Sequence, residues 1–135
     1  MRLRCRGVEV CCLAGVLTVL AAGCSSGEPL PKLGEVTGVV TLDGKPLPGA
    51  VVMFAPVSGR MSTGMTDAEG KYDLTYNVGT KGALIGKHAV RITTQSEDPV
   101  QRSPEKLPAK YNHASTLDAE VKEGKNDVPF ELSSK

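Results

Sequence analysis

Apolar and polar residues alternate along several short stretches of the chain, and Gly and Pro residues separate these stretches. In the first stretch Val36, Val40 and Leu42 fall on the same face. A period of two residues is typical of a half-buried β-strand, and no stretch after residue 33 shows a convincing helical period. The pattern predicts seven strands, which cover residues 36–42, 50–55, 61–66, 71–76, 86–93, 117–121 and 128–132.

The turns and prolines between these strands predict how the strands are arranged. Residues 50–55 are apolar on both faces, which indicates a central strand with Phe54 in the core. The segment "TDAEGKYDL" predicts a hairpin in which Asp67 caps the turn and Gly70 takes the left-handed conformation. Pro129 cannot donate a ladder hydrogen bond, so the last strand should lie at an edge or contain a bulge. Seven strands in one domain predict an all-β fold, a two-sheet β-sandwich.

The start of the chain has the pattern of an export signal. Three arginines precede an uncharged apolar run, residues 10–22, which is too short for a membrane-spanning helix of about 20 residues. The sequence Ala22-Gly23-Cys24 then resembles the bacterial lipobox, in which the cysteine thiol is acylated before cleavage. The resemblance implies a lipid on Cys24 and cleavage between Gly23 and Cys24. The alternatives are ordinary secretion, with cleavage near Ala22 or Gly23, and a buried core segment.

This interpretation divides the chain into a signal peptide (1–23), a lipidated cysteine with a flexible tether (24–33) and one folded domain (34–133). Three of the four cysteines would leave with the signal peptide and Cys24 would carry the lipid, so the mature chain would hold no disulfide. The charge is nearly balanced, which argues against a nucleic-acid partner. The predicted location is the bacterial cell envelope, and Ser25 after the cysteine, where Asp would favour the inner membrane, favours the outer membrane.

Four blocks of sequence resemble small bacterial lipoproteins with a carboxypeptidase regulatory-like domain, which has the transthyretin-like (prealbumin-like) fold. The blocks are "GEVTGVVTLDGKPLPGAVVMFAP", "TDAEGKYDL", "GKHAVRIT" and "LPAKYNHASTLDAEVKEGKNDVPFEL". The resemblance covers nearly all of residues 34–132. It implies a seven-stranded Greek-key β-sandwich with a non-catalytic, extracytoplasmic role, and it supplies no ligand.

Few side chains in the domain carry chemistry. His88 lies on an apolar strand face and is expected to be a hydrogen-bonded structural residue, and His113 a solvated loop residue. Zinc-binding, serine-hydrolase and calcium-loop motifs are absent from the sequence, and the tail "FELSSK" lacks the Tyr-Arg-Gly-Ser end of transthyretin-like purine-pathway hydrolases. Asp67 and Glu69 share a turn and keep calcium open as an alternative. We therefore expect no enzyme activity, no cofactor and no resident metal.

The sequence predicts a lipid-anchored, non-catalytic interaction or structural module that contacts the membrane through Cys24 and an unidentified envelope macromolecule. The alternative is a module that binds calcium or a glycan through loops at one end of the sandwich. Residues 95–115 form the longest segment without a strand pattern. We expect Leu107 and Tyr111 to pin its second half to the sandwich and residues 100–103 to be an exposed tip.

Overall fold

In the computed structural model the regular secondary structure is almost entirely β-strand. The described residues are 29–96, 98, 100 and 103–135. The predicted signal peptide (1–23), Cys24 and the first part of the predicted tether lie outside the described residues. No helix in the described part of the chain is long and apolar enough to cross a membrane.

The described residues contain twelve strand segments and one short 3-10 helix. The strands are β1 (Leu33–Leu42), β2 (Lys45–Pro46), β3 (Val51–Pro56), β4 (Ser62–Met65), β5 (Lys71–Asp73), β6 (Thr75–Asn77), β7 (Thr80–Lys81), β8 (Ala83–Leu84), β9 (Gly86–Thr93), β10 (Leu117–Val121), β11 (Gly124–Asp127) and β12 (Phe130–Leu132). The 3-10 helix spans Ala109–Tyr111.

The first sheet is built around β1, the longest strand. One edge of β1 pairs in parallel with β11 and then with β12, and the other edge pairs antiparallel with β8, β5 and β2. Gly38 lies where the neighbouring chain comes closest, because a Cβ at this position would lie 2.1 Å from the carbonyl oxygen of Val128. Any side chain at position 38 would therefore push the sheet apart.

The second sheet has the order β10-β9-β3-β4-β6-β7 and all of its pairings are antiparallel. The predicted central position of residues 50–55 is confirmed, since β3 lies between β9 and β4. His88, Val90 and Ile92 of β9 point inward and are buried, as the alternation predicts.

The core lies between the two sheets, so the structure is all-β and consistent with a β-sandwich. Phe54 from the second sheet has no exposed surface, and its ring meets that of Phe130 from the first sheet at 6.2 Å in an edge-on arrangement. Tyr72 packs on the other side of Phe130, also at 6.2 Å, and its hydroxyl donates to Val128 O at 2.5 Å. The other hydrophobic residues with no exposed surface are aliphatic: Val36, Val40, Ala50, Val52, Leu74, Ala83, Val90 and Ile92.

The predicted strand 71–76 is divided between the two sheets. β5 pairs with β1 in the first sheet, whereas β6 pairs with β4 in the second. Leu74 lies at the crossing, is fully buried, and keeps its backbone hydrogen bonds to Val36 O and from Gly82 N. A local alternation pattern cannot show such a crossing, because both halves of the strand still point the same side chains inward.

The segment "EGKN" at residues 123–126 has the composition of a turn, but a turn predicted there is wrong, because residues 124–127 form β11 beside β1. The strand is exposed along most of its length, so it has no apolar alternation to reveal it. The side-chain amide of Asn126, in β11, donates to Glu35 O at 3.0 Å and to Lys122 O at 2.8 Å. The expected edge position of the last strand is confirmed, and Pro129 lies in the interruption between β11 and β12.

One end of the molecule, the proximal end, is where the described chain begins. It consists of residues 29–32, 57–61, 78–79, 85 and 122–123. These segments meet at the ends of the strands: Ile85 N donates to Lys32 O at 3.3 Å, and a Cβ on Gly59 would lie 2.6 Å from Leu84 Cδ1. A Cβ on Gly34 would likewise lie 2.2 Å from Lys122 O.

The opposite end, the distal end, consists of residues 43–44, 47–50, 66–70, 94–96 and 133–135. Gly49 N donates to Thr66 O at 3.1 Å, and Thr66 N donates to Ala50 O at 2.8 Å. The last residues of the chain join this end, since Ser134 N donates to the Asp43 carboxylate at 3.0 Å. The hydrogen bond holds the pKa of Asp43 below its ordinary value.

The long segment after β9 is pinned at its second half, as predicted. Leu107 and Tyr111 are 5% and 9% exposed and belong to the core. The Tyr111 hydroxyl accepts a hydrogen bond from Ser133 N at 3.0 Å, which joins the 3-10 helix to the end of the chain. Val100 is 88% exposed, in agreement with an exposed tip, and its neighbours 101 and 102 lie outside the described residues.

Candidate functional site

A second apolar surface lies on the outer face of the second sheet, away from the core. Alternation along β3 points Val52 and Phe54 inward and leaves Val51 and Met53 on the outer face. Val51 is paired with Met65 of β4. Apolar side chains on both faces of a strand need cover on both faces, and here the outer cover is incomplete: Met65 is 66% exposed.

This surface forms the floor of a cavity of about 430 Å³. Its floor is apolar and its rim carries hydroxyl and amide groups. The lining residues are Gly49, Val51, Met53, Met61, Thr63, Met65, Thr93, Thr94, Gln95, Ser96, Asp98 and Ser103. Among these described residues Asp98 alone is charged.

Three of the four methionines in the chain line this cavity, and the fourth is the initiator. Met53 is paired with Thr63, so Met61 and Met65 lie two residues to either side of its partner and are its diagonal neighbours. Diagonal cross-strand Cβ atoms are about 7–8 Å apart or less, within reach of long side chains. Flexible thioether side chains adapt to the shape of a bound apolar group, which makes such a cluster suitable for binding.

One wall of the cavity, the chain after β9, is held in place by Glu105. Its carboxylate accepts hydrogen bonds from Thr94 N at 2.9 Å, Thr94 Oγ1 at 2.7 Å and Leu107 N at 3.1 Å, and another from the Thr93 hydroxyl. Ser103 adds a link, donating to Thr94 O at 2.9 Å and accepting from Ser96 N at 3.2 Å. The two ends of the loop, residues 94–96 and 103–107, are therefore tied together beside the cavity.

The same hydrogen bonds set the charge state of Glu105. Partial burial raises the pKa of the carboxyl group, but the hydrogen bonds from Thr93, Thr94 and Leu107 outweigh it and lower the pKa to about 2. A carboxylate that accepts several donors is stabilised in its charged form. Glu105 is thus ionised at neutral pH, and its role is to position the wall.

A smaller and more polar cavity of about 290 Å³ adjoins the first and shares Met53, Thr93 and Gln95 with it. Its other described lining residues are Arg91, Glu105, Asn112 and His113. Arg91 Nε donates to Asn112 O at 3.0 Å, which places its guanidinium beside His113. The outer face of the sheet therefore combines an apolar floor with an adjacent region lined by Arg91 and Glu105.

The structure separates the residues that the sequence suggested for chemistry. His88 is 2% exposed, and its Nε2 donates to Leu84 O at 2.6 Å, which confirms a structural, hydrogen-bonded histidine. His113 is exposed, as expected, but it lines the smaller cavity. Asp67 accepts from Glu69 N and Lys71 N and so caps its turn, with Gly70 at φ 78°.

No group of three or more His, Cys, Asp or Glu side chains in the described part of the chain is arranged to hold a metal ion. The calcium alternative at the loop end thus gains no support from these residues. Cys24 and Gly23 lie outside the described residues, so lipidation and cleavage remain predictions.

Neither the methionines nor Glu105 is predicted as a functional residue from the sequence. Residues 51–53 are apolar on the outer face too, but this pattern by itself indicates only a central strand. Glu105 gave no local signal, because its partners Thr93 and Thr94 are 12 and 11 residues away in the sequence.

Together these features define an all-β, two-sheet protein with an apolar-floored cavity on one outer face. No family model matches the chain, and no curated protein does. Among solved structures, a DUF3823 family protein from Parabacteroides merdae matches with a TM-score of 0.47 and 14% identity, over 76% of this chain and 47% of that one. A 9R-lipoxygenase from Cyanothece matches with a TM-score of 0.38 and 19% identity, over 79% of this chain and 17% of that one. The chain thus spans less than half of either neighbour, and neither likeness assigns a function.

Proposed function

We propose that this chain is a lipid-anchored, non-catalytic interaction module of the bacterial cell envelope, and that the methionine-lined cavity is its contact surface. The observation that carries the proposal is the exposure of Met61 (44%) and Met65 (66%) beside the half-buried Met53 and Val51. Contiguous exposed apolar surface rimmed by polar groups is typical of a binding site. A partner that covers this floor would complete the outer packing of β3.

The proposal includes a seven-stranded, Greek-key fold of the transthyretin-like, carboxypeptidase regulatory-like kind. The sequence blocks at residues 34–56, 66–74, 86–93 and 107–132 support it. The two facing sheets around one core are compatible with it.

The anchor is proposed to be a lipid on Cys24, on the outer membrane. Its support is the order of arginines, apolar run and small residues before Cys24. Cys24→Ala should abolish acylation, so that the unprocessed precursor accumulates. Cys12→Ala, within the apolar run, is the matched control and should mature normally. Normal processing and membrane attachment of the Cys24→Ala protein would contradict the anchor.

The contact surface can be tested with photo-methionine, a light-activated analogue of methionine. Once the initiator is removed with the signal peptide, every methionine in the chain lies in the cavity, so crosslinks from this protein would report on that site. Illumination of cells followed by denaturing purification and mass spectrometry should give a discrete crosslinked product. The product should disappear in a variant with Met53, Met61 and Met65 all replaced by Leu, which keeps the apolar volume.

The control for this experiment moves the probe elsewhere. Glu69→Met in the triple-leucine background places one photo-methionine on an exposed turn at the distal end. This variant should not recover the product. The same crosslink from position 69, or a product that persists without the three methionines, would show that the cavity is not the contact surface.

A small ligand is the second candidate occupant, because a volume of about 430 Å³ lies within the range of about 300–1,000 Å³ for small-molecule sites. The apolar floor and the hydroxyl rim suit a neutral, amphipathic molecule. N-phenyl-1-naphthylamine, a neutral apolar dye, should bind saturably, and Met53→Glu should weaken its binding at least about tenfold. His113→Ala, which changes only the smaller cavity, should leave binding unchanged. Failure to saturate would remove this candidate.

A further inference from the structure

The proximal end carries exposed apolar side chains that the fold does not use. Val57 is 94% exposed and Val78 is 97% exposed, each in a loop between two strands. Leu30 and Ile85, at the same end, are 66% and 40% exposed. Among the described residues outside the cavity and this end, the one other large exposed apolar side chain is Val100.

The four side chains come from separate loops that the strand pairings bring to one end. Val57 follows directly after β3, whose last residue is paired with His88 near the start of β9. Ile85 immediately precedes β9, and its backbone N–H donates to Lys32 O. Val78 lies in the turn that joins β6 to β7. The arrangement is therefore a property of the fold and not of one apolar stretch.

The charges at this end are mostly positive. Its loops carry Lys32, Arg60 and Lys122, against Glu123 alone. The distal end differs, because its turns carry Asp43, Asp67 and Glu69, and the one exposed large apolar side chain described near it is Val100. Basic side chains near an anionic lipid surface are attracted to it.

The described chain also begins at this end, at Pro29, with 28 residues before it in the sequence. Pro29 is only five positions after Cys24, so a lipid on Cys24 would hold the proximal end within roughly 17 Å of its attachment point even if the chain were fully extended. The lipid would hold the protein at the membrane, and a contact at the proximal end would fix the orientation of the domain on it.

We infer that the proximal end is a membrane-docking surface, which inserts the tips at Val57 and Val78 into the headgroup region of an anionic bilayer. The inference rests on the proposed lipid anchor at Cys24. It fixes an orientation: the distal end points away from the bilayer, and the cavity opens at the side.

The test uses the full-length gene and the lipidated protein that it yields, reconstituted into vesicles of phosphatidylethanolamine and phosphatidylglycerol. Once the signal peptide is removed and Cys24 is acylated, an introduced cysteine is the sole free thiol. Val57→Cys and Val78→Cys each receive an environment-sensitive NBD dye. Glu69→Cys, on the exposed distal turn, is the matched control.

At positions 57 and 78 the dye should emit at shorter wavelength than at position 69. Nitroxide-labelled lipid should also quench it at least about twofold more there, because interfacial apolar groups lie about 5–10 Å into the boundary between headgroups and acyl chains. Equal quenching at all three positions in protein that floats with the vesicles would overturn the docking surface and leave the anchor intact. Protein that does not float and has no acyl mass would overturn the anchor, and the inference with it.

Discussion

The two ends of the sandwich are held together in different ways. The distal end is fixed by side-chain hydrogen bonds: Asp67 caps its hairpin, and Thr66 Oγ1 donates to Leu47 O at 2.7 Å and accepts from Ala50 N at 2.8 Å. The proximal end also has side-chain hydrogen bonds, since Asn77 Oδ1 accepts from Val78 N at 2.8 Å, but it exposes the apolar side chains of Val57 and Val78, which can make none. The comparison separates residues that stabilise the fold from residues that the fold merely presents. Substitutions at the distal end should cost stability, and those at the proximal tips should not.

The largest effect should come from the core that both ends share. Phe54→Ala removes a ring with no exposed surface that contacts Phe130 and lies 5.6 Å from the His88 ring. The expected loss is about 3–5 kcal/mol of unfolding free energy, measured by urea denaturation of the chain from Ser25 onward. A loss below about 1 kcal/mol would contradict the register of β3.

At the distal end, Thr66→Val should cost about 2–3 kcal/mol. The change keeps the shape of the side chain but leaves Leu47 O and Ala50 N without their buried partner. Thr63→Val, on the exposed face of β4, is the matched control and should change stability by less than about 0.5 kcal/mol. Equal effects of the two valines would mean that the hydrogen bonds of Thr66 do not hold this end.

Glu105→Gln should cost about 1–2 kcal/mol at neutral pH, because a charged acceptor of several hydrogen bonds becomes neutral. The pKa of Glu105 in the folded protein, about 2, is below its ordinary value of 4.5. Its charge therefore stabilises the fold fully above about pH 4.5, and this stabilisation disappears as the pH falls towards 2.

The measurement is the difference in urea midpoint between wild type and Glu105→Gln across this pH range. The difference should shrink as the pH falls. Glu131→Gln, on an exposed strand position, is the control and should show no comparable change. A difference that stays constant with pH would show that the wall of the cavity does not depend on the charge of Glu105.

The comparison also shows which features could be predicted from sequence. The Asp67 turn was predicted correctly because Asp67 and its partners lie within four residues of one another. Alternation likewise identified β9 and the burial of Phe54. The strand β11 could not be predicted, because it pairs with β1, which is distant in sequence: Gly124 is paired with Gly34, 90 positions earlier. The side chains of β11 are also mostly exposed, so they show no apolar alternation. The cavity was missed for the same reason: it depends on contacts between strands and a distant loop.

The smallest stability effect should come from the proximal tips, and it is the sharpest test of the difference between the ends. Val57 and Val78 are almost fully exposed, so replacing both by Ser removes no buried apolar area and should change the unfolding free energy by less than about 0.5 kcal/mol. A double serine variant that loses more than about 1 kcal/mol would show that these valines pack against the fold, and the proximal end would then be a structural part of the core. An unchanged stability would mean that the two exposed valines do not stabilise the fold, whereas Thr66 and Glu105 stabilise it through their hydrogen bonds.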